Sequence, residues 1–131
     1  MPDVTVIVHL LKAHTPLTAV VPAARIMGGE IPQGTPVPAI SVSHVSAKWS
    51  KEISAQSRDC TARVQVTVKA ATYPQQKQLL SLVRAAVPRM RGTVAGVVVD
   101  SITREDDGPD FRDDDAGIYL QTQDFFVKYV E

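Results

Sequence analysis

The stretch that most constrains this chain is TARVQVTVKA, residues 61–70. Ala62, Val64, Val66, Val68 and Ala70 alternate without a miss with Thr61, Arg63, Gln65, Thr67 and Lys69. A period of two belongs to a strand with one buried and one wet face. The apolar face of such a strand needs a cover, and the next segment supplies one. Thr72-Tyr73-Pro74-Gln75 reads as a capping-box start with proline in the first turn. Leu79, Leu80, Val83, Ala86 and Val87 then make an apolar helical stripe, and Pro88 stops it.

The remaining elements are placed around that pair. Val4, Ile7, Val8 and Leu11 fall on one face at helical spacing, with Asp3 as the cap. A strand is the competing assignment, because Val4, Val6, Ile7 and Val8 are β-branched. Leu10, Leu11 and Ala13 extend the run without alternation and favour the helix. Thr15-Pro16 ends it, and Pro16 opens one further short turn through Val20. Prolines and glycines between residues 22 and 38 argue against regular structure, with Ile26, Met27 and Ile31 as apolar anchors; Gly28-Gly29 reads as a bend. Ile40–Trp49 is predicted as a strand whose phase switches near His44, the mark of a bulge. Ser50–Asp59 is predicted as a polar loop. Val94–Thr103 and Gly117–Val130 are two more strands, the last with a phase change midway. The order α-β-β-α-β-β predicts an α+β fold: a four-stranded, mostly antiparallel sheet with the helices packed on one face.

The 131 residues suit one domain, 1–131, large enough for a real core. A net charge of zero argues against a dedicated nucleic-acid binder, whose affinity comes from excess Lys and Arg. The single cysteine, Cys60, rules out an internal disulfide and reads as an incidental thiol, because no base is positioned beside it. No apolar run is long enough to span a bilayer. The N-terminal segment carries Asp3 where a secretory signal would be basic, so it reads as a structural helix and the expected compartment is cytoplasmic.

The feature that invites a chemical reading is EDDGPDFRDDD, Glu105–Asp115, with seven acids in eleven residues. Asp113, Asp115 and Gly117 miss the register of an EF-hand loop, and no glutamate closes it. Paired-carboxylate catalysis needs one acid in an apolar pocket, which an exposed acidic run does not offer. Gly108 and Pro109 are turn formers, so a solvated hairpin loop is the plainer reading. His9 and His14 are five apart and off a common helical face; HExxH and CxxC are absent. No catalytic residue, metal ligand or cofactor site is predicted.

Charge geography remains. Acids gather at 105–115. Bases gather at Arg84, Arg89 and Arg91 after the second helix, and at Lys48, Lys51 and Arg58 around the first hairpin loop. A neutral chain with separated patches can bind copies of itself head to tail, and such a contact closes into a ring when the rotation allows. Asp113, Asp114 and Asp115 facing Arg84, Arg89 and Arg91 of a neighbouring copy is the expected contact. Solvation of ordinary loops is the simpler account of the same charges.

In this order and flavour of elements the chain resembles the tail terminator, or tail completion, proteins of long-tailed bacteriophages. The resemblance rests on AHTPLTAVVPAARI, then GEIPQGTPVPAISVSHV, then ARVQVTVKAATYPQQKQLLSLVRAAV, and last YLQTQDFFVKYV with its D-[YF]-x-V pattern. It runs through nearly the whole chain, and the Asp-rich loop departs from it. It implies a structural protein of the virion tail that forms a ring, commonly of six. The ring would cap the head-proximal end of the tail tube, stop its polymerisation and offer a head-joining surface. The implied partners are the chain itself, the tail tube protein and head–tail connector proteins, with no membrane and no specific nucleic acid. Another neck connector, or a small α+β enzyme or ligand-binding domain, is the alternative.

Overall fold

The computed structural model describes residues 2–32, 34–49 and 59–130. In chain order the elements are α1 (Pro2–Ala13), α2 (Thr15–Thr18), a 3-10 turn (Ala23–Arg25), β1 (Ile26–Gly28), β2 (Ala39–Trp49) and β3 (Asp59–Ala70). Then follow α3 (Tyr73–Ala86), β4 (Gly92–Val94), β5 (Val97–Asp107), β6 (Phe111–Asp113) and β7 (Ile118–Val130). The mixed α and β class is as predicted, but the four-stranded sheet is corrected. Neighbouring strands run in the order β1-β2-β3-β7-β5-β4, and β6 pairs with β7 as a seventh strand. The four expected strands are the four long ones. The three short ones sit beside Gly, Pro or Asp-rich sequence that hid them. All pairings are antiparallel except β1 with β2.

β3 organises the sheet because it is central and its burial alternates along its whole length. Cys60, Ala62, Val64, Val66, Val68 and Ala70 are buried; the residues between them are half-exposed. The buried phase meets Val6, Ile7 and Leu11 of α1 and Leu79, Leu80 and Val83 of α3 in one core cluster. Both helices contact β3 and each other, so they share one side of the sheet. Each fully buried Val or Leu contributes about 1.5–3 kcal/mol, which makes this two-layer contact the main source of stability.

α3 starts where the sequence indicates. The Gln75 amide donates to Thr72 Oγ1 at 3.3 Å, and Gln75 Oε1 accepts from the Ala71 amide at 2.9 Å, a capping box shifted back by one residue. α2 carries Pro16 in its first turn, as expected. Asp3 is not a cap. It lies inside α1, is 1% exposed, and its carboxylate meets His44 Nδ1 at 2.5 Å. The β2 bulge is present, with register shifting between His44 and Ser46.

Two further expectations change. Val94–Thr103 is a hairpin: Ala95 (φ 50°) and Gly96 (φ 81°) both adopt left-handed backbone, the two-residue geometry that matches strand twist. In β7 no bulge separates the two apolar phases. β7 keeps continuous register with β3 from Tyr119 to Val130. Gln121 and Gln123 occupy the inward phase ahead of Phe125, Val127 and Tyr129, and both are buried. The predicted polar loop falls, apart from Asp59, outside the described residues.

Candidate assembly surface

The acidic run is largely strand. Glu105, Asp106 and Asp107 end β5, residues 108–110 link, and Phe111–Asp113 form β6. β5 and β6 pair with successive parts of the same β7, at Gln123–Val130 and at Ile118–Leu120. The wet-loop reading therefore holds only for residues 108–110 and for the turn at 114–117. Gly108 sits where the two pieces part, and its amide donates to Thr122 O at 2.9 Å. A Cβ at Gly108 would collide with Thr122 Oγ1, so the close approach itself calls for glycine.

Buried glutamines hold this edge to the helix layer. Register slips between Arg104 and Asp107, which leaves Glu105 and Asp106 outside the β7 ladder. Gln123 Nε2 donates to Glu105 O at 2.7 Å, and to Asp124 O at 3.0 Å. Its Oε1 accepts from Arg84 Nε at 2.9 Å. Gln121 Nε2 donates to Gly108 O at 2.9 Å, while its Oε1 accepts from Lys77 Nζ at 2.8 Å. Gln76, fully buried on α3, donates to Leu120 O at 2.5 Å. Side-chain amides thus replace the ladder bonds that the bulge and link remove.

Charge follows the same seam. Arg84 Nη2 donates to Asp107 at 2.7 Å. Lys77 Nζ donates to Asp110 at 2.6 Å, and the Tyr73 hydroxyl donates to the other oxygen of that carboxylate at 2.7 Å. The Lys77 and Tyr73 donors hold the Asp110 carboxyl below its ordinary range, and Asp110 raises Lys77 in return. Lys77 and Arg84 stand seven residues apart, two turns of one helix, which is the sequence signal that could have exposed this arrangement.

The predicted interface charges are distributed as follows. Arg84 has an internal partner in Asp107. Arg89 and Arg91 are exposed in the connection from α3 to β4. Asp113 turns inward on its own turn, with Oδ1 accepting from the Asp115 and Ala116 amides at 3.1 and 3.3 Å. Asp114 pairs with Arg112 beside it, and Asp115 is exposed. Lys48 is exposed near the end of β2. Lys51 and Arg58 lie outside the described residues. No ion pair joins the arginine group Arg84, Arg89 and Arg91 to Asp113, Asp114 or Asp115 among the described residues.

The sheet face turned away from the helices is polar. Thr61, Arg63, Gln65, Thr67 and Lys69 of β3 lie across from Lys128, Phe126, Asp124, Thr122 and Leu120 of β7. Arg63 Nε donates to Asp124 at 2.7 Å, and its guanidinium lies 5.5 Å from the Phe126 ring centroid. Among the described residues no three His, Cys, Asp or Glu side chains converge on a metal-sized site, and no helix is long and apolar enough to cross a membrane. The described residues thus present open strand edges, a braced acidic rim and a polar sheet face.

Comparison with known proteins sets this architecture in context. A chain in the virion of a native gene transfer agent particle has the same fold, with a TM-score of 0.68 at 14% identity over 96% of this chain and 92% of that one. No curated protein sequence matches. The family model described as tail completion protein gp17 matches residues 5–129. The chain belongs to the tail completion protein gp17 family.

Proposed function

We propose that this chain assembles into a ring, six-membered, that caps the head-proximal end of a phage or prophage tail tube. The ring stops tube polymerisation and presents the surface to which the filled head joins. The observation that carries this reading is the family match across residues 5–129, nearly the entire chain. The fold is compatible with it: a two-layer unit with Lys48 on the β2 edge and acids along the β5 edge. Its place is the neck region of the virion, reached from the host cytoplasm during assembly. Its partners are copies of itself, the tail tube protein and a head–tail connector. The reading assigns no catalytic step, metal or cofactor to the chain.

Arg89, Arg91 and Lys48, with Lys51 and Arg58, supply the cationic side of the proposed contacts, and Asp113, Asp114 and Asp115 the anionic side. Arg84 takes part through the rim it braces. Exposed charge pairs contribute only about 0.2–1 kcal/mol each, so backbone pairing and apolar contact must supply most of the ring energy.

Electron microscopy of particles made without this protein tests the proposal. Over-long tubes, or heads and tails left unjoined, are the expected result. Tubes of normal length with unjoined heads would favour a connector role. Normal particles would refute a neck function.

A further inference from the structure

We propose that copies of this chain join edge to edge, the free part of β2 on one copy pairing antiparallel with the free part of β5 on the next. This rests on the ring reading above and adds a backbone contact between strand edges to the charged contacts named there.

Both edges are open among the described residues. β1 meets β2 only at Ile40, Ser41 and Val42, which leaves Ser43–Trp49 without a strand on the side away from β3. β4 meets β5 only at Val97, Val98 and Val99, which leaves Asp100–Asp107 open on the side away from β7. The two stretches are similar in length, each roughly 23–26 Å at about 3.3 Å per residue. An open edge presents unpaired amides and carbonyls, a template for another strand.

Direction and charge select the partner. β2, β3, β7 and β5 alternate in direction across the sheet, so β5 runs opposite to β2. A second copy set beyond β2, with its helices on the same side, therefore brings its β5 alongside β2 in antiparallel sense. The free part of β2 carries Lys48 and no acid. The free part of β5 carries Asp100, Glu105, Asp106 and Asp107 against Arg104. Asp107 is already held by Arg84, and Arg89 shares a cleft with Ile102 and Arg104, so Asp100, Glu105 and Asp106 supply the acidic excess of this edge. Pairing β5 with β5 would set acids against acids; pairing β2 with β5 sets opposite charges together. That contact is heterologous and propagates, as a ring requires. Val45 and Trp49, 50% and 46% exposed, stand on the same β2 stretch and supply apolar area for the contact to cover. The rival account is that the β2 bulge and Lys48 only blunt an edge that stays solvated.

Two variants decide between them. Val45→Glu with Lys48→Glu makes the β2 edge acidic; Asp100→Lys with Asp106→Lys makes the β5 edge basic. Each variant alone then faces like charge at every junction, and its self-association by light scattering should fall roughly tenfold or more. Mixed in equal amounts, the two should recover assembly, because every junction again joins opposite charges. Recovery on mixing requires contact between different copies. Either variant assembling like the wild type, or a mixture that stays monomeric while both variants keep the wild-type circular dichroism and melting, overturns the pairing. The only tryptophan, Trp49, gives a readout free of substitutions. Its emission should shift to the blue and resist iodide as wild-type rings form; unchanged emission on ring formation would also overturn the pairing. A wild-type protein that stays monomeric both alone and on purified tail tubes overturns the ring reading itself.

Discussion

Replacing Gln123 by leucine tests whether side-chain amides hold the acidic rim to the body. Gln123 is 1% exposed, and its amide serves the Glu105 carbonyl that the bulge removes from the β7 ladder. Leucine nearly conserves volume but leaves that carbonyl without a donor, a cost of about 1–3 kcal/mol. Loss of the charge-assisted bond from Arg84 adds about 1–2 kcal/mol, discounted because Arg84 keeps Asp107 and some access to water. Apolar burial returns about 1 kcal/mol. The net expectation is a loss of about 1–4 kcal/mol. With an unfolding entropy of about 2.1 cal/mol/K per residue over 131 residues, each kcal/mol lowers Tm by about 3.6 °C, so the melt should fall by about 4–14 °C. Thermal and urea unfolding followed by circular dichroism measure it. Gln78→Leu, at an exposed position of α3, should stay within about 0.5 kcal/mol. Gln123→Glu separates the contributions: it keeps the acceptor for Arg84 but turns an oxygen toward the Glu105 carbonyl. It should therefore destabilise at least as much as leucine. A Gln123→Leu protein melting at or above the wild type would refute the reasoning.

The Asp3–His44 contact should behave as a coupled pair. His44→Ala removes the hydrogen-bond partner at Nδ1 from the buried Asp3 carboxyl and should cost about 1–3 kcal/mol, while His44→Ala combined with Asp3→Ala should cost clearly less than the two single losses summed. Additive losses in urea unfolding would show that the two side chains act independently. Asp110, held below its ordinary range by Lys77 and Tyr73, contributes stability that is present above about pH 4 and lost as pH falls through its lowered pKa. Lys77, raised by Asp110, contributes stability that is present below about pH 10.4 and lost as pH climbs through its raised pKa. Asp110→Asn should flatten the stability profile at both ends of the pH range; a profile that matches the wild type would remove the contact from the account.

The central strand and the third helix were readable because their signals are local. A period of two, a cap and a stripe declare themselves within a few residues. β7 was misread because its inward positions 121 and 123 are glutamine, and polar residues in a buried phase imitate a slip of phase. The 94–97 turn was missed because alanine, not Asn or Asp, occupies its first left-handed position. The acidic run looked like a loop because its residues form one-sided edge strands, where exposed charge replaces alternation. Asp3 and His44 are 41 residues apart, and no pattern in either segment points to the other. The seam left one usable trace, the Lys77 and Arg84 spacing, whose acidic partners only the folded sheet reveals. The family resemblance, in contrast, was visible in the order of elements, because order survives where individual residues do not.

The bracing of the rim bears on how tightly it can bind. A free acidic tether would have to surrender its chain entropy, about 1–2 kcal/mol for every residue frozen, at the moment of contact. Here Lys77 and Arg84 already hold carboxylates 110 and 107, and the two glutamines hold the backbone carbonyls of Gly108 and Glu105. A cationic surface docking against this rim would meet carboxylates already held in place by Lys77 and Arg84, so discrimination between partners would rest on spacing rather than on charge total.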